Sequence, residues 1–283
     1  MSREKNVKIF EDTLAYIKEN QTLTEAVKNT QNKTKLFKQK TFESNFNNET
    51  KRVYLNNVFV TKNKTFEAAL KLHKYYPNYR IGVLNFASAT NPGGGVTKGS
   101  SAQEESLCRC STLYSCLNTN KLLHDFYYYN RNLSNPLHTD DIIYTPDIVI
   151  CKTDDGRYMR LKDAEFVKVD VLSCAAPNLR ENPNNSFNIE NAEAIKITDD
   201  KLYNLHLNRA RFILEVAYMN GIRVLVLGAF GCGAFRNNPE IVAKAYRDAL
   251  KEYAKYFVEI EFAVYCKDYE TENYDTFERI LGQ

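Results

Sequence analysis

Apolar residues recur along this chain in two rhythms, one helical and one extended. In 12–20, Leu14 and Ile17 stand three apart, and Thr24, Ala26 and Val27 open a further turn. Residues 1–50 therefore read as helices with polar joints. VYLNNVFV (53–60) is short and rich in β-branched residues, which predicts a strand. Across Thr65–Tyr75, Phe66, Ala69, Leu70 and His73 share one helical face, with His73 as a packing residue. YRIGVLNFA (79–87) is apolar throughout, as a buried strand is, and runs into the glycine-rich ATNPGGGVTKGSS. A helix is predicted from about Ala102 to Cys116, strands over Ile148–Lys152 and Phe166–Leu172, and a turn-rich loop over 173–188. Asp200–Met219 reads as a helix and Arg223–Leu227 as a buried strand, followed by a second glycine loop, GAFGCGAFRNN. Pro239 fits the first position of the next helix, to about Tyr256. The stretch 258–266 reads as a strand and Asn273–Leu281 as a last helix. Residues 117–146, polar and aromatic, fit neither rhythm and read as an insertion or lid.

Strands alternate with helices, and the central strands are apolar on both faces. That pattern predicts an α/β protein with a mostly parallel sheet between helical layers. Residues 1–52 form an N-terminal helical extension and 53–283 the main domain. In such sheets ligands sit where loops leave the carboxyl ends of strands, and both glycine loops hold that position.

Composition narrows the possibilities. The 283 residues suffice for a large core, and no run of about 18 apolar residues occurs, so no membrane span is expected. The first ten residues lack the apolar stretch of an export signal, which places the protein in the cytoplasm. Its seven cysteines are then expected to be reduced. Cys108, Cys110 and Cys116 cluster, but no His lies nearby in sequence to complete a metal site, so neither metal nor cofactor is expected. The net charge of +3 reflects a basic surplus in residues 1–52, which reads as a solvated helical surface.

The chemistry sits in the two loops. Gly228, Gly231 and Gly233 let the backbone of GAFGCGAF turn tightly with its N–H groups inward, and the helix at Pro239 adds its positive end. Together these suit a phosphate or diphosphate, although a tight strand-to-helix turn reads equally well. The first loop sets Asn91-Pro92-Gly93-Gly94-Gly95-Val96 ahead of Gln103-Glu104-Glu105. Ser101 and Glu104 match a capping box, which gives Glu104 a structural role. Glu105 is not needed for that cap. Two adjacent buried carboxyls repel, which raises a pKa of the pair and makes a proton donor.

NPGGGVTKGSSAQEE resembles the signature of poly(ADP-ribose) glycohydrolases of the compact microbial type. VLNFASATNPGGG before it, CRCSTLY after it and GAFGCGAFRNNP far downstream extend the resemblance over most of the chain. It implies a macrodomain-like, three-layer α/β/α sandwich with a mixed sheet, whose 53–283 portion is the catalytic domain. It implies ADP-ribose polymer, or an ADP-ribosylated macromolecule, as substrate, with no obligate protein partner. Under it Glu105 becomes the catalytic acid and Glu104 a holder of ribose hydroxyls. Gly93, Gly94, Gly95 and Val96 pass over the diphosphate and distal ribose, with Asn91 and Gln103 nearby. Gly231, Cys232, Gly233 and Ala234 form the second diphosphate loop, and Phe235 lies against the ribose. The same fold also serves hydrolases of mono-ADP-ribose or O-acetyl-ADP-ribose, and readers that bind without cleaving; a reader has no need of the Glu104–Glu105 pair.

Overall fold

The structure, a computed structural model, describes residues 2–43, 55–184 and 192–282. Among these residues, seven strands form one sheet: β1 (Lys35–Phe37), β2 (Val58–Thr61), β3 (Arg80–Phe86), β4 (Ile142–Ile150), β5 (Val167–Cys174), β6 (Ile222–Leu227) and β7 (Glu259–Ala263). Their spatial order is β1-β4-β5-β3-β6-β7-β2. β4 runs antiparallel to β1 and β5, and every other pairing is parallel. The sheet is thus mixed and mostly parallel, as the pattern predicts.

Alternation along the central strands builds a core on each face. Ile81, Val83, Val169, Val171, Val224 and Val226 pack on one side with α3 (Thr65–Tyr75), α4 (Gln103–Cys110) and α5 (Leu113–Leu117). Leu84, Leu172, Leu225, Leu227 and Phe262 pack on the other with α8 (Asp199–Met219), α9 (Pro239–Tyr253) and α10 (Glu272–Leu281). Burying both faces in this way stabilises each core side chain by about 1.5–3 kcal/mol. Among the described residues, no helix is long and apolar enough to cross a membrane.

Several elements differ from expectation. The N-terminal stretch is not purely helical: after α1 (Arg3–Glu19) and α2 (Gln21–Lys33) it adds edge strand β1. The first residues of the strand expected over 53–60, Val53 and Tyr54, lie outside the described residues, as do 185–188 of the turn-rich loop. The expected insertion over 117–146 contains a helical run, with α6 (Asn120–Leu122), a π-helical turn (Leu123–Tyr128) and α7 (Tyr129–Leu133), and then the first five residues of β4. Within β4, the stretch Thr145-Pro146-Asp147 is bulged: the register shifts between Thr145 and Ile148, and Asp147 has φ +56°. Arg80 ties the bulge down, reaching Asp170 at 2.6 Å and Asp147 at 3.2 Å. The helix expected over 102–116 breaks at Ser111 and Thr112. Ser111 bridges to Ile150, and Thr112 exchanges bonds with Val149. Pairing with β4 replaces one helical turn.

Candidate active site

The loop leaving β3 folds back over the start of α4. Gly93 and Gly94 take left-handed conformations, φ +67° and +58°, which side chains other than glycine rarely adopt. At Gly94 space is also missing. A Cβ there would lie 2.6 Å from Glu105 Oε1 and 3.1 Å from Glu104 Oε2. The bare backbone is therefore the roof over both carboxyls.

Both glutamates are buried, and they are held differently. Glu104 accepts at both oxygens, from the Ser88 amide at 2.7 Å and from Asn85 Nδ2 at 3.2 Å. Glu105 Oε1 accepts from the Gly95 amide at 2.9 Å, while its Oε2 makes no hydrogen bond among the described residues. The expected capping box is absent. The N-cap of α4 is Ala102, with no side-chain cap, because Glu104 turns inward to the tip of β3 and away from Ser101.

Burial raises both carboxyls, and repulsion adds to it at Glu104. Glu104 is pushed up to about 8, first by desolvation and then by the neighbouring Glu105 charge, against the pull of Ser88 and Asn85. Glu105 is also raised by desolvation, in part offset by the Gly95 amide and the Arg109 charge. The pair therefore keeps a proton near neutrality.

This has a consequence for stability. A carboxyl raised on folding favours the folded state below its ordinary 4.5, and that contribution is lost as pH rises through about 8. Glu104→Gln removes the titration, and its amide can pair with Asn85 Oδ1, which has no partner among the described residues. Relative to wild type it should gain roughly 2–4 kcal/mol of stability between pH 5 and 9. Thermal melts of both proteins across that range check this. A stability difference that does not change with pH would show that Glu104 is not the titrating group.

The second loop follows β6. Gly231 has φ +80°, and a Cβ there would meet Ala176 Cβ and Asn237 Nδ2, each at 2.7 Å. Phe235 is half-buried, with the His138 ring centroid 5.9 Å away and the Arg180 guanidinium 5.4 Å above its ring. Gly94, Gly95, Gln103, Glu104, Glu105, Gly231, Gly233, Ala234 and Phe235 line one cleft of about 960 Å³ at the carboxyl ends of the strands.

Asn91, Gly93, Val96 and Cys232 do not line that cleft. Asn91 Oδ1 accepts from Arg131 at 2.6 Å, and Val96 lies in the core. Gly93 faces Tyr114 and Cys108, and Cys232 packs toward the α8–α10 side. Gln103 lines the cleft but spends its amide on the fold. It accepts from the Phe86 amide at 2.9 Å and donates to Leu84 O at 2.7 Å and Thr65 Oγ1 at 3.1 Å. Among the described residues, no three His, Cys, Asp or Glu side chains converge as metal ligands would.

The pattern of the sequence misses several participants. Asn85 sits inside an apolar strand, and Ser88 acts through its backbone. Arg3 and Asn6 of α1 also line the cleft, and Asn6 donates to Gly99 O at 3.0 Å. Gly99 has φ +77°, and a Cβ there would run into the Arg3 carbonyl. Thr13 donates to Arg109 O at 2.6 Å, and buried Lys152 reaches Ile9 O at 3.0 Å and Asp12 at 2.6 Å. These contacts seat α1 against the loop and helix that carry the carboxyls.

A family described as the catalytic domain of microbial-type PARG matches residues 4–153. Poly(ADP-ribose) glycohydrolase from Thermomonospora curvata, bound to the inhibitor ADP-HPD, is 26% identical, with 98% of this chain and 99% of that chain covered and a TM-score of 0.79. The same enzyme from Deinococcus radiodurans, in complex with ADP-ribose, is 30% identical, with 90% and 97% covered and a TM-score of 0.73. Comparison with curated proteins gave no match.

Proposed function

Since this chain belongs to the family of microbial-type poly(ADP-ribose) glycohydrolase catalytic domains, we propose that it hydrolyses the ribose–ribose O-glycosidic bonds of poly(ADP-ribose) and releases ADP-ribose. The observation that carries the chemistry is Glu105. One of its oxygens is pinned by the Gly95 amide, and the other is buried beside the cleft without a partner among the described residues. The proton that the pair keeps, once on Oε2 of Glu105, passes to the leaving ribose oxygen as the C–O bond breaks and an oxocarbenium-like sugar forms. Water then bonds to the anomeric carbon and returns a proton to Glu105. Glu104, fixed by Ser88 and Asn85, keeps its remaining lone pairs for ribose hydroxyls. The glycine loops, Gly94–Gly95 and Gly231–Ala234, hold the diphosphate, and Phe235 orients the ribose.

The catalytic unit takes in residues 53–283 together with the extension 1–52, because Arg3 and Asn6 reach the cleft. Its place of action is the cytoplasm, a reading supported by seven cysteines that are all unbridged. Paired buried carboxyls also favour hydrolysis over mere recognition, which the glycine loops alone would serve.

Incubation of the pure protein with automodified polymer should release ADP-ribose. Intact polymer alongside cleaved mono-ADP-ribosylated protein would overturn the assignment. Free ADP-ribose at one hundred times its dissociation constant should stabilise the fold by about 2.7 kcal/mol. A melt unmoved by millimolar ligand would count against the whole reading.

A further inference from the structure

Behind the second glycine loop lies a buried pair of side chains that does not itself line the cleft but backs the loop that does. Asn237 is 2% exposed and His206, on α8, is 1% exposed. The two N–H groups of Asn237 Nδ2 are shared among three carbonyls, Pro177 O at 2.7 Å, Gly231 O at 3.0 Å and Phe235 O at 3.3 Å. Its backbone amide also donates to Gly231 O, at 3.0 Å. One residue thus closes the 231–235 loop on itself and ties it to the irregular segment that follows β5, where Leu179 N donates to Phe235 O at 3.0 Å.

The chemistry of the partners fixes the orientation of this amide. Three carbonyls on one side demand the NH₂ group, so Oδ1 must face His206 Nε2, 2.8 Å away. His206 Nε2 must then carry the proton and donate. Its Nδ1 has no partner among the described residues, which agrees with a neutral ring. Burial pushes the imidazole down to about 4, so it stays neutral across the physiological range. Three residues further along α8, Arg209 reaches Ala175 O at 2.6 Å and Leu137 O at 3.1 Å, so the same helix face braces the adjoining segments.

We infer that Asn237 and His206 are positioning residues that hold the Gly231–Phe235 loop in its ligand-ready shape, His206 by locking the Asn237 amide and Asn237 by gathering the loop carbonyls. The inference rests on the proposed binding of ADP-ribose in the cleft. The loop amides converge on the ligand only while their carbonyls are turned back to Asn237. Without the lock, the amide of Asn237 is free to flip, and the loop must be ordered anew at each binding event.

His206→Leu removes the donor, and His206→Gln restores an N–H close to the position of Nε2. The full chain of each protein is compared with wild type at a temperature where all are folded. Binding of free ADP-ribose is measured by calorimetry and polymer hydrolysis by steady-state kinetics. His206→Leu should raise both the ADP-ribose Kd and the KM about tenfold, with kcat within about threefold. His206→Gln should lie within about twofold of wild type. Asn237→Asp, which points a carboxylate at three carbonyls, should move KM in the same direction as His206→Leu. A merely structural role would lower the active fraction, and with it apparent kcat, while Kd and KM stayed fixed. That result, or a His206→Gln no better than His206→Leu, overturns the inference. Wild-type protein that fails to bind ADP-ribose would overturn the functional reading and the inference with it, whereas binding by wild type and His206→Leu alike overturns the inference alone.

Discussion

Glu105→Gln should lower the rate of polymer hydrolysis by about 10² to 10⁴ while leaving the fold and ADP-ribose binding intact. Gln is nearly isosteric and still accepts from the Gly95 amide, which pins this side chain. It can neither donate the acid proton nor take one back from water. The same change removes a charge from beside Glu104, whose carboxyl is raised in part by that charge, so the variant should melt no lower than wild type. Single-turnover assays beside calorimetry separate chemistry from binding. Cleavage at the wild-type rate would sink the assignment of the acid, and a loss of more than about 2 kcal/mol of stability would make Glu105 structural instead.

An effect of similar size is expected from one methyl group. Gly94→Ala must hold a side chain at φ +58° and place its Cβ 2.6 Å from Glu105 Oε1. The left-handed conformation alone costs about 1–2 kcal/mol. The contact does more, because it pushes the carboxyl away from the Gly95 amide. Activity should fall at least about 10²-fold, since a displacement near 1 Å at a reacting group has that effect. Gly221→Ala provides the comparison. It has φ +81° but meets only Arg80 Cδ, at 3.7 Å, in the turn between α8 and β6. It should lose stability without loss of turnover. If both variants keep wild-type rates per folded molecule, the roof over the carboxyls has no catalytic part.

Much of this architecture is legible from local pattern. Val83 and Leu84 occupy opposite faces of β3 as their apolar run implies, and both glycine loops lie at strand ends as the alternation requires. The sequence misleads where a long-range contact overrides a local preference. Ser101 and Glu104 have the spacing of a cap, yet the Ser88 amide, sixteen positions away, takes the carboxylate. The stretch 117–146 reads as an insertion although its last five residues begin β4, because the bulge at Thr145-Pro146-Asp147 interrupts the strand pattern and is held by Asp170 and Arg80, on other strands. Asn91 and Gln103 belong to the motif but serve Arg131 and the tip of β3. Arg3 and Asn6 escape notice because nothing in the spacing of α1 says that it will lie against a loop ninety residues on.

The anchoring of the two carboxyls also gives each its own spectroscopic reporter. Glu104 accepts from the amide of Ser88 and Glu105 from that of Gly95. The magnetic resonance of an amide proton responds when its acceptor gains or loses a charge. Ser88 and Gly95 therefore report separately on two groups that exchange protons as a unit and that bulk titration would merge. With nothing attached to the protein, the pair of signals can follow which oxygen holds the proton, first in the free enzyme and then with product in the cleft.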